Sequence, residues 1–281
     1  MTDGNNGTGD AVGGRGWCVV GLAVVLTGCG AQAGEVDAAL PERGFDYQLG
    51  GAYPPPEEAT IVVRDSSAEP ASGTYSVCYV NGFQTQPGEE TAWLEDDLVL
   101  LDEDGAPVAD PGWPDEMLLD TSTGEKRKRI ARRLGETVDG CARAGFDAVE
   151  FDNLDSHLRS DGALTVDDNL ALAVEIVALA HGSGLAAAQK NAAEEAERGR
   201  DEAGFDFAVT ESCAAWSECS AYTDVYGPDG VLDIEYPEDL DAAGTTFDAV
   251  CDDPATPPRT LLRDLELVPR DQPGHVYERC P

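Results

Sequence analysis

Several acidic residues of this chain stand where an apolar run gives way to polar residues, and two of them are spaced to work as a pair. The run Gly145-Phe-Asp-Ala-Val-Glu-Phe-Asp152-Asn153-Leu-Asp155 closes on Asp152, and the run Phe205-Asp-Phe-Ala-Val-Thr-Glu211-Ser-Cys213 closes on Glu211. Side chains alternate across a strand, so Ala148, Glu150 and Asp152 share one face, as do Val209 and Glu211. With those faces turned into a barrel, the two carboxylates emerge at its mouth two strands apart. Opposed carboxylates in a cleft are what glycosidic bond cleavage requires. One stabilises or attacks the sugar carbon, and the other, with a raised pKa, protonates the leaving oxygen. In a chain with 55 Asp and Glu some acids reach strand ends by chance, so the pair alone does not name a reaction. Lys190, in Gln189-Lys190-Asn191, closes the run between them and is one of only three lysines, with Lys126 and Lys128. A cation there would keep a nearby carboxylate ionised; the alternative is a buried ion pair that ties two strands together. Asn153 and Asn191 suit sugar hydroxyls or turn caps, and Tyr79 and Trp113 offer faces for a pyranose or for packing.

The elements that must position these residues recur regularly. Short apolar runs cover Phe45 to Leu49, Thr60 to Asp65, Tyr75 to Gly82, Phe146 to Asn153, Leu185 to Asn191, Phe205 to Glu211, Val231 to Tyr236 and Thr260 to Val268. Helical periodicity appears between several of them. From Val166 to His181 an apolar stripe follows the acidic opening Asp167-Asp168. From Glu125 to Ala144, Ile130, Leu134 and Val138 share a face, with Lys126-Arg127-Lys128-Arg129 expected on the solvent side. Strands alternating with helices predict right-handed βαβ units and a parallel sheet. Eight runs in about 250 residues predict an α/β fold, a (β/α)8 TIM-like barrel, with a long insertion after the third strand. That insertion, Phe83 to Thr123, holds a hairpin turn at Asp104-Gly105 and the loop Pro111-Gly112-Trp113-Pro114. It would overhang the barrel mouth, where such folds keep their function. Asp102-x-Asp104-Gly105 is not an EF-hand, because its glycine comes too early.

The start of the chain reads as processing signal. An apolar stretch of about ten residues from Trp17 to Leu26 is the length of a signal-peptide core and about half a membrane span. It ends in the lipobox-like Leu26-Thr27-Gly28-Cys29, although the leader has one cation, Arg15, against Asp3 and Asp10. The expected layout is residues 1–28 a signal peptide, 29–43 a short linker from the lipidated Cys29, and 44–281 one barrel domain. The protein is expected to be exported, to the outer face of the cell membrane as a lipoprotein or into the medium, and to be a monomer. Without Cys18 and Cys29 the remaining cysteines are Cys78, Cys141, Cys213, Cys219, Cys251 and Cys280, an even set in an oxidising compartment. Six cysteines allow 15 pairings; local spacing favours Cys213 with Cys219 and Cys251 with Cys280, leaving Cys78 with Cys141. No C-x-x-C or H-E-x-x-H occurs among three histidines, so no metal and no cofactor is expected. His157 reads as a loop residue, Gly182-Ser183-Gly184 is not a nucleophile elbow, and there is no phosphate loop or dinucleotide fingerprint. A net charge of -37 excludes nucleic acid as a partner, because phosphate polymers bind through clustered Lys and Arg.

Seven segments together carry a resemblance. They are Phe45-Asp-Tyr-Gln48-Leu-Gly, Cys78-Tyr79-Val-Asn81-Gly, Gly112-Trp113-Pro-Asp-Glu116 with Leu119-Asp120, the Gly145 to Asp155 run, Gln189-Lys190-Asn191, the Phe205 to Cys213 run with Glu218-Cys219, and Ile234-Glu235-Tyr236. In this order and spacing the chain resembles the endo-α-1,4-polygalactosaminidase family of glycoside hydrolases from about Gly44 to Tyr236. It departs in Thr210 and Ser212 beside Glu211, and in Phe151 where the family often has Pro. The resemblance implies a barrel that cleaves α-1,4 links in galactosamine polymers. Asp152 would be the nucleophile and Glu211 the acid/base of a retaining, endo-acting mechanism. Gln48, Asp65, Tyr79, Asn81, Trp113, Asn153, Asp155, Lys190, Asn191, Glu235 and Tyr236 would bind the polysaccharide, with Gln48, Asp65, Asp155 and Glu235 available to its amino groups. A lipid-anchored barrel that binds such a polymer without cutting it is the alternative. A cationic polymer would also suit the acidity, as would adaptation of the host to salt.

Overall fold

The computed structural model describes residues 38–42 and 44–281 together with Met1, Gly4, Gly7 and Gly9. The expected signal peptide, lipobox and Cys29 lie outside the described residues. Among the described residues nine strands form one sheet in sequence order: β1 (Gly44–Gln48), β2 (Ala59–Asp65), β3 (Tyr75–Asn81), β4 (Ala148–Asp152), β5 (Ala186–Lys190), β6 (Phe207–Glu211), β7 (Val231–Glu235), β8 (Thr260–Arg263) and β9 (Tyr277–Arg279). The first eight run parallel, and β9 returns antiparallel on β8. The result is a nearly closed barrel.

Alternation sorts each strand into two layers. Inward, Phe45, Tyr47, Val63, Val77, Phe207, Val209, Leu232 and Ile234 fill the barrel, and the small Ala148, Ala186 and Ala188 make room for the aromatic rings. Outward, Val80, Val149, Phe151, Ala187 and Ala208 pack under the helices. The helices are α1 (Glu90–Glu95), α2 (Gly124–Ala144), α3 (Val166–Gly182), α4 (Ala196–Arg198, continuing as a π-turn through Ala203), α5 (Cys219–Tyr226), α6 (Pro237–Ala243) and α7 (Phe247–Asp252). Helix α2 starts where Thr123 caps the Lys126 amide, buries Ile130, Leu134 and Val138, and stops at Gly145 with φ +96°. Thr165 and Asp168 form a capping box at the start of α3.

The strands form the TIM-like barrel expected, with an outer helical layer that is incomplete. The crossovers after β1 and β2 contain no helix: apart from Val62, the buried outward residues there, Asp46, Gln48 and Arg64, are polar and already satisfied. Arg64 donates from Nε to Gln48 Oε1 (2.9 Å) and from Nη2 to the Tyr53 carbonyl (2.8 Å). Gln48 donates to Asp46 Oδ2 (2.7 Å), and the Tyr53 hydroxyl donates to Asp46 Oδ1 (2.8 Å). A loop covers this face, and no apolar stripe is left for a helix to bury. The eighth apolar run also yields only a four-residue strand before the chain turns.

Between β8 and β1 there is no hydrogen-bonded ladder. Arg263, fully buried, bridges the seam: it donates to the Tyr47 carbonyl on β1 and, at 2.8 Å, to the Val276 carbonyl. The Tyr277 hydroxyl reaches the Phe45 carbonyl at 3.1 Å. The insertion carries α1 and the expected hairpin, in which Asp102 accepts the Asp104 and Ala106 amides and Gly105 takes φ +82°. The basic block of α2 is not simply solvated. Lys126 pairs with Asp97 (3.4 Å) and Asp120 (2.8 Å), Arg127 with Asp168 (3.1 Å), and Arg133 with Asp96 (2.8 Å) while covering the Trp93 ring. The contacts to Asp96, Asp97 and Asp120 fasten the insertion to α2, and the one to Asp168 ties α2 to α3. Disulfides join Cys78 to Cys141, Cys213 to Cys219 and Cys251 to Cys280, the pairing that spacing favoured. Cys213, Cys219 and Asp233 lie close enough to suggest a metal cluster, but both sulfurs are in a disulfide.

Candidate active site

Asp152, Lys190 and Glu211 are the last residues of three consecutive strands, all on the inward face. Each is followed by a residue in the left-handed region, Asn153 (φ +68°), Asn191 (+52°) and Ser212 (+58°). The turn lifts the chain off the barrel rim immediately after the functional side chain. Backbone strain of this kind collects at sites the surroundings over-determine, and Asn tolerates it better than most residues.

The Lys190 ammonium, nearly wholly buried, lies 3.3 Å from Glu211 Oε2, 3.9 Å from Asp152 Oδ1 and 3.3 Å from Glu150 Oε1, and donates to the Tyr47 hydroxyl at 2.9 Å. Three phenols serve three carboxylates. Tyr79 donates to Asp152 (2.7 Å), Tyr236 to Glu211 (2.5 Å) and Tyr47 to Glu150 (2.7 Å). Burial holds all three phenols well above their usual titration range, so they stay donors. Asp152 also accepts the Asn153 amide (2.8 Å), and Glu211 accepts from Asn191 Nδ2 (3.0 Å) while its own amide donates to Asn191 Oδ1 (2.8 Å).

Burial raises both carboxyls of the pair and Lys190 lowers both. The balance differs. Glu211 has the nearer ammonium and two side-chain donors, and ends below the ordinary carboxylate range; Asp152 faces the Glu211 charge and ends above it. Of the two, Glu211 therefore ionises the more readily and Asp152 is the one that keeps a proton to higher pH.

Above them opens a cleft of about 560 Å³ with eight carboxylates in its walls against two cations, Lys190 and Arg159. Of the residues expected to bind, Asp65, Tyr79, Trp113, Asn153, Asp155, Lys190, Asn191 and Tyr236 line it. Tyr79 is there as a hydrogen-bond donor rather than a stacking face. Asn81 stands one layer behind, donating to Glu116 Oε2 (2.7 Å) and accepting from Asn153 Nδ2 (3.0 Å). Gln48 and Glu235 do not reach the cleft: both face outward. Gln48 belongs to the Arg64 network under β1. Glu235 accepts the Ala214 (2.8 Å) and Ala215 (3.2 Å) amides and so holds the loop after β6. Its neighbour Asp233 accepts from Thr210 (2.8 Å) and from the Cys213 amide (3.3 Å). Burial and the Asp233 charge push Glu235 up to about 9, and burial raises Asp233 to about 6, so the two share a proton.

Other residues entered the site without a signal at strand ends. Arg159, in the 3-10 turn after β4, pairs with Asp110 (2.7 Å) and Asp155 (3.1 Å) and donates to Asn153 Oδ1 (2.9 Å). Asp110 in turn accepts the Gly112 (2.7 Å) and Trp113 (3.2 Å) amides, so the insertion is tied to the residue beside Asp152. Glu116 lines the cleft half-buried, and burial raises it to about 7. Trp216, held between Cys213 and Cys219, lines the cleft and is half exposed, like Trp113.

The chain is similar in fold to two solved structures. Ega3 of Aspergillus fumigatus, in a complex with galactosamine, superposes with a TM-score of 0.66 at 21% identity over 85% of this chain and 95% of that one. The glycoside hydrolase domain of PelA from Pseudomonas aeruginosa gives 0.57 at 14% identity over 84% and 98%. No curated protein matches the chain in sequence. The model of glycoside-hydrolase family GH114 matches residues 30–281, nearly all of the chain and the whole of the barrel that carries the paired carboxylates, and the chain belongs to that family of glycosidases.

Proposed function

We propose that this glycosidase cuts α-1,4-linked polymers containing unacetylated galactosamine, within the chain and with retention of configuration. The observation that carries the substrate class is the cleft's excess of eight carboxylates over two cations. A polymer bearing ammonium groups is drawn into such a field, whereas a neutral sugar chain gains nothing from it. The galactosamine in the Ega3 complex supports the same reading. Trp113 and Trp216, on separate loops of the cleft, suit sugar rings on either side of the acids, as an internal cut needs.

In this reading Asp152 attacks the anomeric carbon and Glu211 protonates the leaving oxygen, then activates water. In the free site Asp152 has the higher proton affinity of the two, the reverse of what these roles need, and the substrate offsets this. The 2-ammonium of a galactosamine is bonded to the carbon next to the anomeric one. It therefore comes close to the attacking carboxylate, favours an ionised Asp152 and leaves the proton to Glu211. An N-acetylated sugar lacks that charge, so it should lose turnover more than binding.

The test is to incubate the protein from residue 30 onward with partly deacetylated α-1,4-galactosaminogalactan. Oligosaccharides of mixed length, first appearing as the α-anomer by proton NMR, are expected. A β-anomer would overturn retention, and release of single sugars alone would overturn internal cutting. Asp152→Asn or Glu211→Gln turning over as fast as wild type would overturn the site. Binding without release by wild type would leave the non-catalytic barrel instead. The proposed export and lipid anchor at Cys29 are checked by the intact mass of membrane-extracted protein, where an unmodified mass removes the anchor.

A further inference from the structure

Below the paired acids lies a third carboxylate that the steps above do not use. Glu150 precedes Asp152 by two residues on the inward face of β4 and is fully buried. One of its oxygens accepts from Tyr47 at 2.7 Å and faces the Lys190 ammonium at 3.3 Å. The other, Oε2, is buried with no hydrogen-bond partner. An unpartnered carboxylate oxygen inside a barrel is costly, and an aliphatic side chain there would extend the apolar inner layer that Ala148 and Ala188 belong to. Packing therefore does not account for it.

Its place relative to Lys190 does. The ammonium touches Tyr47 and Glu150 on its inner side, and Glu211 and Asp152 on the cleft side. Without the inner pair nothing keeps it from advancing between the two cleft carboxylates, where the sugar must sit. We propose that Glu150 is a positioning residue: with Tyr47 it anchors the Lys190 ammonium beneath Asp152 and Glu211, and so sets the pH range over which that pair works. The proposal rests on the hydrolase reading of the pair.

The groups that bear on Glu150 are Tyr47 from β1, Asp152 from β4, Lys190 from β5 and Glu211 from β6; Tyr79 of β3 lies beside it in register, and Tyr236 at the end of β7 acts on Glu211. Strands β2 and β8 contribute the apolar Ile61, Val63 and Leu261; Arg263 of β8 reaches the Tyr47 carbonyl and pairs with Asp46 and Asp264. Burial, opposed by Lys190, puts Glu150 at about 7. When it ionises it adds a like charge near the pair and shares the ammonium, and both effects delay the pair's loss of its last proton to higher pH. Removing that charge should do the opposite.

Glu150→Gln keeps the shape and can still accept from Tyr47. The alkaline limb of its kcat/KM profile should move to lower pH by roughly half to one unit, with kcat at the optimum down about three- to tenfold. Tyr47→Phe should move the limb the same way by less, and carries the test if circular dichroism shows that Glu150→Gln fails to fold. A limb that stays in place in the folded variant, whatever its kcat, overturns the proposal. A second readout needs no turnover: the nitrogen-15 shift of the Lys190 ammonium in free protein should show a titration step near neutral pH that disappears in Glu150→Gln. No such step in wild type also overturns it. A wild type that cleaves nothing sinks the hydrolase reading, and the ammonium titration still decides the role of Glu150.

Discussion

Asp152, Glu211 and Glu150 each have their own phenol donor, and those donors replace the water that a buried acid lacks. A hydrogen bond to a charged acceptor contributes about 1.5–3 kcal/mol. Tyr236→Phe and Tyr79→Phe should thus each lower kcat by roughly tenfold or more, measured on the galactosamine polymer, while Asp152→Asn and Glu211→Gln should cost about a thousandfold. Tyr236→Phe takes a donor from the charged form of Glu211, so it should also raise the pH of the acid limb. Asp152, Glu211 and Lys190 were legible because each closes an apolar run on the face its strand turns inward. The same rule, applied by parity, would have removed two errors. Phe45 and Tyr47 face inward, so Gln48 must face out; Leu232, Ile234 and Tyr236 face inward, so Glu235 must face out. Tyr47 and Glu150 were hidden for another reason. They sit mid-strand, where a polar residue reads as part of a core, and only the Lys190 side chain crossing from β5 shows what they are for.

At the scale of the element, the loop after β6 illustrates how a local segment is held. The disulfide between Cys213 and Cys219 fixes its ends, and the amides of Cys213, Ala214 and Ala215 are taken by Asp233 and Glu235. Those acids are protonated more readily in the folded state than in the unfolded chain, where both lie near 4. The folded state therefore binds more protons, and the stability they contribute is lost as pH rises through about 6 and then about 9. Glu235→Gln mimics the protonated acid. Its melting temperature should fall less than that of wild type between pH 6 and 9, with a gain at pH 9 on the order of 2 kcal/mol; equal slopes in calorimetry would contradict this. Trp216 rides on the same loop, and Trp216→Ala should raise KM for long polymers more than for short oligosaccharides. The first eight strands were readable as apolar runs, and α2 and α3 from their stripes and acidic openings, whereas the three-residue β9 was too short to show. Helix α1 was not readable either, because six residues give too few turns for a period to show.

The whole molecule carries a charge of -37, and two explanations of it make different predictions. If the field recruits a cationic polymer, kcat/KM should fall severalfold between about 20 mM and 500 mM salt. A neutral, fully acetylated substrate should show no such fall. If the acidity reflects adaptation to salt alone, both substrates should behave alike, and melting temperature should rise with salt. The barrel was legible as eight apolar runs with helical segments between several of them. What could not be read was that the first two crossovers need no helix, since that depends on Arg64, Gln48, Asp46 and Tyr53 finding one another across the β1–β2 face. The closure by Arg263 was hidden in the same way, because its acceptors on β1 are far away in sequence.

That closure also fixes where the molecule comes apart. Between β8 and β1 a single arginine and a tyrosine hydroxyl stand in place of a ladder, whereas β4, β5 and β6 lie on the far side of the ring with paired neighbours on both edges. Amide hydrogens of β1 and β9 should exchange with deuterium ahead of those of β4, β5 and β6. Under mild denaturant, turnover should outlast the first loss of structure, since the seam opens like a split ring while the arc that carries Asp152, Lys190 and Glu211 keeps its curvature.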